Sequence, residues 1–187
     1  MELRALFGGA ITAPIKPTFI DASQFRQIPD NQEVFLDMQT QQSLIVELLE
    51  AVNVQDVDIA RYHFEQVASD NEAAEYKVNS VQRVSAGTAT PCLPVDSTSV
   101  YMLQGTQRVA KFNEANTASY NVVDIWLAVV RLASVDTDLV ITINAPVAVA
   151  PGSSESADAP PVELTVVEQE LMGLLHRLTI KNWNLFG

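Results

Sequence analysis

The chain has 187 residues, 48 % of them hydrophobic and 18 % charged, which are the proportions of a folded globular protein rather than a disordered one. Eleven Lys and Arg stand against 23 Asp and Glu, and the resulting net charge of −12 argues against nucleic acid or an anionic membrane as a partner, since both would repel it. The single cysteine, Cys92, excludes an internal disulfide framework and a Cys-cluster metal site, and the length suits one domain spanning 1–187, with a core that needs no staple.

In chain order, Met1-Glu-Leu-Arg4 carries an acid where a basic targeting region would stand, and no sustained apolar run follows it. Leu6 to Pro14 reads as a short strand or a hairpin, with Gly8-Gly9 supplying a bulge or turn. Glu33 to Leu36 is a second short strand. Gln41 to Val52 is predicted to be a helix capped by Thr40, because Ile45, Leu48, Leu49 and Val52 fall on one face at helical spacing. A second helix is expected from Asp56, its cap, with Val57, Ala60, Phe64 and Val67 as the apolar stripe.

Glu75 to Val84 alternates and is rich in β-formers, and Ser99 to Arg108, Ser119 to Leu132 and Leu139 to Asn144 are further strands. The last two are close enough across Ala133 to Asp138 to make an antiparallel hairpin. Val122 to Leu132 is the most apolar run, but Asp124 and Arg131 interrupt it and it is too short to span a bilayer. Ala145 to Pro161, with four prolines and three serines, reads as a linker or loop. It leads to a final helix, Val162 to Leu178, whose Leu164, Val167, Leu171, Leu174, Leu175 and Leu178 form a core-facing stripe. Strands joined by short turns, with helices early and late, indicate an α+β fold built on a mainly antiparallel sheet covered by helices.

The inventory for catalysis is thin. His63 and His176 each lie on an expected helix with no second ligand at i+3 or i+4, so they read as structural or surface histidines rather than zinc ligands. Cys92 lies in a Pro-flanked loop with no base assignable to it. Neither a phosphate-binding loop nor a G-x-G-x-x-G or G-x-S-x-G pattern occurs. Asp56/Asp58 and Asp136/Asp138 are carboxylate pairs, but they flank a helix start and a turn, where Asp is favoured for local reasons. No catalytic residue, metal ligand or cofactor is therefore expected.

Charge is unevenly placed. Gln27 to Ala60 and Leu132 to His176 each hold seven acids and no Lys or Arg, which leaves nine acids against all eleven bases elsewhere. Either tract would serve as a solvated face that keeps the chain soluble. The first also contains Ile28-Pro-Asp-Asn-Gln-Glu-Val-Phe35, a polar segment running into a strand, in which Asp30, Asn31, Gln32 and Glu33 offer two carboxylates and two amides. In an extended stretch Asp30 and Gln32 point one way, Asn31 and Glu33 the other; in a turn Asp30 and Glu33 share a side. Such a loop is either an Asx-turn serving its own backbone or an exposed acidic clasp for Arg and Lys of a basic partner.

The same segments carry a resemblance. Leu6-Phe-Gly-Gly-Ala-Ile11, Phe19-Ile-Asp-Ala-Ser23 with Arg26, Ile28 to Phe35, Gln42 to Glu50, Arg61-Tyr-His-Phe-Glu65, Val130-Arg-Leu132, Thr137 to Asn144 and Asn184-Leu-Phe186 together resemble the Ran guanine nucleotide release factors. The resemblance runs along nearly the whole chain, with Val67 to Thr98 and the Pro-rich segment divergent. It implies a mostly antiparallel six-stranded sheet sandwiched by helices, a fold shared with a photosystem II extrinsic subunit. It further implies a single Ran-binding domain, present in nucleus and cytoplasm, that promotes loss of guanine nucleotide from Ran and supports nuclear import.

The family's acidic pair falls on Asp30 and Glu33, so Asp30, Asn31, Gln32 and Glu33 are the expected partner-binding residues. Neither nucleic acid nor membrane is an expected partner, and a monomer is expected for the free chain. The first acidic tract is thus the one expected to bind, and the second to be a solvated turn, linker and helix face. An acidic adaptor for another basic protein is the alternative; a lumenal photosystem subunit would need a transit sequence that the first residues do not supply.

Overall fold

Along the first fifteen residues the backbone runs out and back. β1 (Glu2–Leu6) pairs antiparallel with β2 (Ile11–Ile15) around a tight turn at Phe7–Gly9, so the hairpin spans Glu2–Ile15, and Leu6 to Pro14 holds its turn and most of its second strand. In the computed structural model, which describes residues 1–110, 120–148 and 164–187, all but one of the remaining strands join one large sheet. Its strands are β3 (Phe19–Asp21), β4 (Gln32–Asp37), β5 (Ser43–Glu50), β6 (Glu75–Val84), β7 (Thr98–Ala110), β8 (Tyr120–Leu132) and β9 (Thr137–Ala148). They lie in the order β3-β4-β5-β9-β8-β7-β6, with every neighbouring pair antiparallel. β10 (Thr179–Ile180) adds to β2 to complete a separate three-stranded sheet. The fold is α+β, and its main sheet has seven strands rather than six.

Helices cover both faces, because the central strands are apolar on both. α1 (Asp58–Asp70) lies against one face, packing Ile59, Ala60 and Phe64 on Leu103, Ile125, Leu127, Val129 and Val140. α2 (Ala86–Ala89) and α3 (Leu164–His176) share the opposite face with the small sheet. There Val167, Leu171, Leu174, Leu175 and Leu178 are buried with Leu6, Ile11, Ile15, Phe35, Val46 and Ile141. From Val167 to Leu178 the stripe expected on the last helix is therefore core; the helix is described from Leu164, and 162–163 lie outside the described residues.

Three expectations are corrected. Gln41 to Val52 is not a helix: Ser43–Glu50 is β5, paired with β4 on one side and with β9 over eight residues on the other. Leu44, Val46 and Leu48 face α3 while the half-buried Ile45, Glu47 and Leu49 face the other way; apolar residues on both faces blur the alternation of a strand and leave a pattern that a helix also fits. Thr40 accordingly caps no helix; its amide reaches Asp37 Oδ1 at 3.4 Å.

The cap expected at Asp56 is also absent. Asp56 has a left-handed φ of 53°, its carbonyl accepts from the Ile59 amide, and the helix starts at Asp58 with no side-chain cap. Finally, the linker does not begin at Ala145, which is fully buried opposite Asp124 in a strand that runs to Ala148. The rest of that segment, 149–161, lies outside the described residues.

Candidate acidic docking site

Pro29 opens a β-turn whose 2.9 Å closing bond runs from the Gln32 amide to the Pro29 carbonyl, and at Gln32 the chain enters β4. The turn leaves Asp30 and Asn31 at the exposed tip. It is docked on β5 by two bonds, from the Leu48 amide to the Asn31 carbonyl at 2.9 Å and from Asn31 Nδ2 to the Leu48 carbonyl at 3.3 Å. Of the two readings of Asp30, the Asx-turn is not formed; a bond of that kind is made nearby by Asp21, whose Oδ1 accepts the Ser23 amide at 2.8 Å. Asp30 is thus left pointing to solvent on a backbone that two strands hold in place.

Strand geometry then separates the other two residues, since successive side chains of β4 point to opposite faces. Gln32 turns toward the α1 face, where its Nε2 donates to Glu47 Oε1 at 2.5 Å. Glu47 there lines a cleft of about 470 Å³ with Glu50, Tyr62, His63, Gln66 and Asp70. Burial pushes the Glu47 carboxyl above its ordinary range and Asp70 adds to this, while Gln32 and His63 oppose it. Glu33 turns to the other face, half-buried, and its Oε1 accepts the Phe7 amide at 2.5 Å. Burial is again the larger effect, so the Glu33 carboxyl is raised despite the Phe7 bond, with Asp21 adding to the rise.

Asp30, Glu33 and Asp21 border one open cleft of about 360 Å³, together with Phe7, Gly8, Ser23 and Leu185. Of the residues that line it, none is Lys or Arg. The four expected binding residues are therefore neighbours in space but not equivalent: two are exposed at a rigid tip, one is engaged below the sheet and one above it. Among the described residues no three His, Cys, Asp or Glu side chains converge so as to hold a metal ion.

The remaining candidates have local partners. Cys92 is exposed, with Sγ 3.7 Å from the His176 carbonyl, and His176 Nδ1 lies 3.2 Å from the Thr88 carbonyl. His63 is buried, with Nε2 2.9 Å from Asp138 Oδ2. Asp138 belongs not to a turn but to β9, where it meets Arg131 in a two-pronged pair at 2.7 and 2.8 Å. Arg131 also donates to the carbonyls of Val52 and Val54, and the Val52 amide donates to Asp138, so this cluster pins the segment between β5 and α1. Sequence reading missed it, although Arg131 and Asp138 are register partners across the expected hairpin.

A model of the family described as Ran-interacting Mog1 protein matches residues 4–146. The chain belongs to the Mog1 family. A Ran guanine nucleotide release factor from Danio rerio is 41 % identical, covering 98 % of this chain and 99 % of its own. The nuclear import protein mog1 of Schizosaccharomyces pombe is 37 % identical over 89 % of this chain and 88 % of its own. The 1.9 Å crystal structure of the Ran-binding protein Mog1p from Saccharomyces cerevisiae superimposes with a TM-score of 0.73 at 27 % identity, covering 100 % of this chain and 98 % of that one. The acidic turn and its partners from Phe7 to Glu47 lie inside the Mog1 match, whereas Leu185, which also lines the cleft, lies beyond it.

Proposed function

We propose that this chain binds the small GTPase Ran through the turn carrying Asp30, Asn31, Gln32 and Glu33, and by binding promotes release of Ran's guanine nucleotide in support of nuclear protein import. The reading is supported by relatives named for Ran binding, guanine nucleotide release and nuclear import. The observation that carries the site is the exposed carboxylate of Asp30 on a rigid turn, above a cleft bordered by Asp21 and Glu33 and lined by no cation. Such a surface takes Lys or Arg of a partner through charge-assisted bonds, and its field speeds encounter at low salt.

Action by binding alone requires no catalytic group on this chain. GTPases hold their nucleotide through backbone amides, a lysine and Mg²⁺. A carboxylate that engages basic side chains near those elements favours a conformation with weaker nucleotide affinity. Linkage makes the effect reciprocal, so bound nucleotide must weaken this complex by the factor by which the complex weakens nucleotide.

Reversing charge at both Asp30 and Glu33 is a poorer test than the sequence suggests, because Glu33 is not free in solvent but bonded to the Phe7 backbone. Asp30→Lys is the cleaner variant. It is expected to lower Ran affinity about tenfold or more with an unchanged melting curve, measured by calorimetry on nucleotide-free Ran. Parental affinity would rule the turn out.

A further inference from the structure

Within the proposed Ran-binding reading, the two carboxylates of the acidic turn do different work: we infer that Asp30 meets the partner, whereas Glu33 is a positioning residue that holds the Phe7–Gly9 turn in the shape the docking cleft requires. The geometry that separates them is local. Phe7, Gly8 and Gly9 all have positive φ, at 49°, 63° and 91°, a region that glycine enters freely and phenylalanine rarely. The turn closes on itself through the Ala10 amide and the Phe7 carbonyl at 3.2 Å. That leaves the Phe7 amide directed away from its own hairpin, and Glu33 Oε1, twenty-six residues on, accepts it at 2.5 Å.

The turn is also where the C-terminal segment docks. The Ala10 carbonyl accepts the amides of Lys181 at 2.7 Å and Asn182 at 3.1 Å, and Leu185, from the following helical turn Trp183–Phe186, lines the same cleft as Glu33 and Asp30. Glu33 therefore ties β4 to the first hairpin at the point where the hairpin carries the far wall of the cleft. The bond needs an oxygen acceptor rather than a negative charge: an amide oxygen in the same place also accepts the Phe7 amide, if less strongly than a carboxylate. Asp30 has the opposite profile, exposed at the tip with its charge available.

Four variants separate charge from position: Glu33→Gln, Glu33→Ala, Asp30→Lys and Val46→Ala, the last trimming a buried neighbour that pairs with Glu33 in register and carries no side-chain hydrogen-bonding group. Affinity for nucleotide-free Ran is measured by calorimetry, and the Phe7 amide is followed by hydrogen exchange. Glu33→Gln is expected to bind within about threefold of the parent and keep Phe7 protected, whereas Glu33→Ala binds about tenfold more weakly and exposes it. Val46→Ala melts lower but binds as the parent does, which a merely structural role for Glu33 would not distinguish from Glu33→Ala. If Glu33→Gln loses as much affinity as Glu33→Ala, or Glu33→Ala loses none, the positioning role is wrong while the acidic turn stands. If Asp30→Lys binds normally, the acidic turn itself is wrong.

Discussion

Asp138 shows how one side chain is forced to serve several segments. It has no exposed surface, so its charge requires partners, and it finds them in Arg131, His63 and the Val52 amide. Burial alone would raise its carboxyl; these bonds outweigh burial and hold it at about 2. Removing one member of a buried pair strands the other, so Asp138→Ala is expected to cost about 3–5 kcal/mol in urea unfolding. It should also release the 52–54 segment, read as faster amide exchange there. This cluster was only half legible in the sequence. Arg131 and Asp138 were both visible as charges beside an expected hairpin, but their pairing depends on register, and His63 arrives from a helix 75 residues away in the chain. The bond between Glu33 and Phe7 was not legible at all, since spacing along a chain does not predict which backbone amide a turn will leave over.

The alternating β6 and the apolar stripe of α3 follow from sequence periodicity, and the hairpin of β8 and β9, although buried on both faces, follows from its β-branched residues and short connection. β5 does not, because its two apolar faces remove the period-two signal. The seating of α1 depends on an absence: a Cβ at Gly105 would come 2.5 Å from the Phe64 ring and 2.7 Å from the Lys77 carbonyl. Gly105→Ala is therefore expected to destabilise by about 1–3 kcal/mol through overpacking, with Phe64→Leu in the same chain restoring part of the loss. On the opposite face Leu171→Ala should cost about 2–5 kcal/mol, since the side chain is fully buried between α3 and the sheet. Thermal or urea unfolding measures both.

For the whole molecule, the acidity that divides into two tracts along the chain divides differently in space. The second tract is not simply a solvated face: Asp138 is paired with Arg131, and Glu170 of α3, nearly buried, forms an ion pair with Lys16 at the end of β2. In the first tract Asp37 is buried and bonded to Thr18 and to the amides of Gln39 and Thr40, whereas Asp30, Glu50, Asp56 and Asp58 are exposed. Buried and half-buried carboxylates therefore titrate in opposite directions. Burial raises Glu33, Glu47 and Asp124, so the charged fold is penalised at neutral pH and the penalty lifts as pH falls through their raised values toward the ordinary carboxylate range. Asp37 and Asp138 are lowered, burial notwithstanding, by the bonds they accept; their stabilisation is complete above the ordinary Asp value of 3.8 and, for Asp138, lost as pH falls through about 2. The melting temperature is thus expected to peak on the acidic side of neutrality, above pH 4, and to collapse toward pH 2; a steady fall from pH 7 downward would contradict this.

The same distribution sets the terms for a partner. Asp30 stands on a fixed turn over a cleft without a cation, while most of the other acids in its tract are either engaged internally or set apart around α1. The most direct measurement is the affinity of this chain for Ran as guanine nucleotide is titrated from none to saturation, with Asp30→Lys run beside it. The account predicts that the complex is tightest without nucleotide, weakens progressively as nucleotide fills Ran, and is weakened throughout by Asp30→Lys. An affinity that does not change with nucleotide, or one that Asp30→Lys leaves untouched, would contradict it.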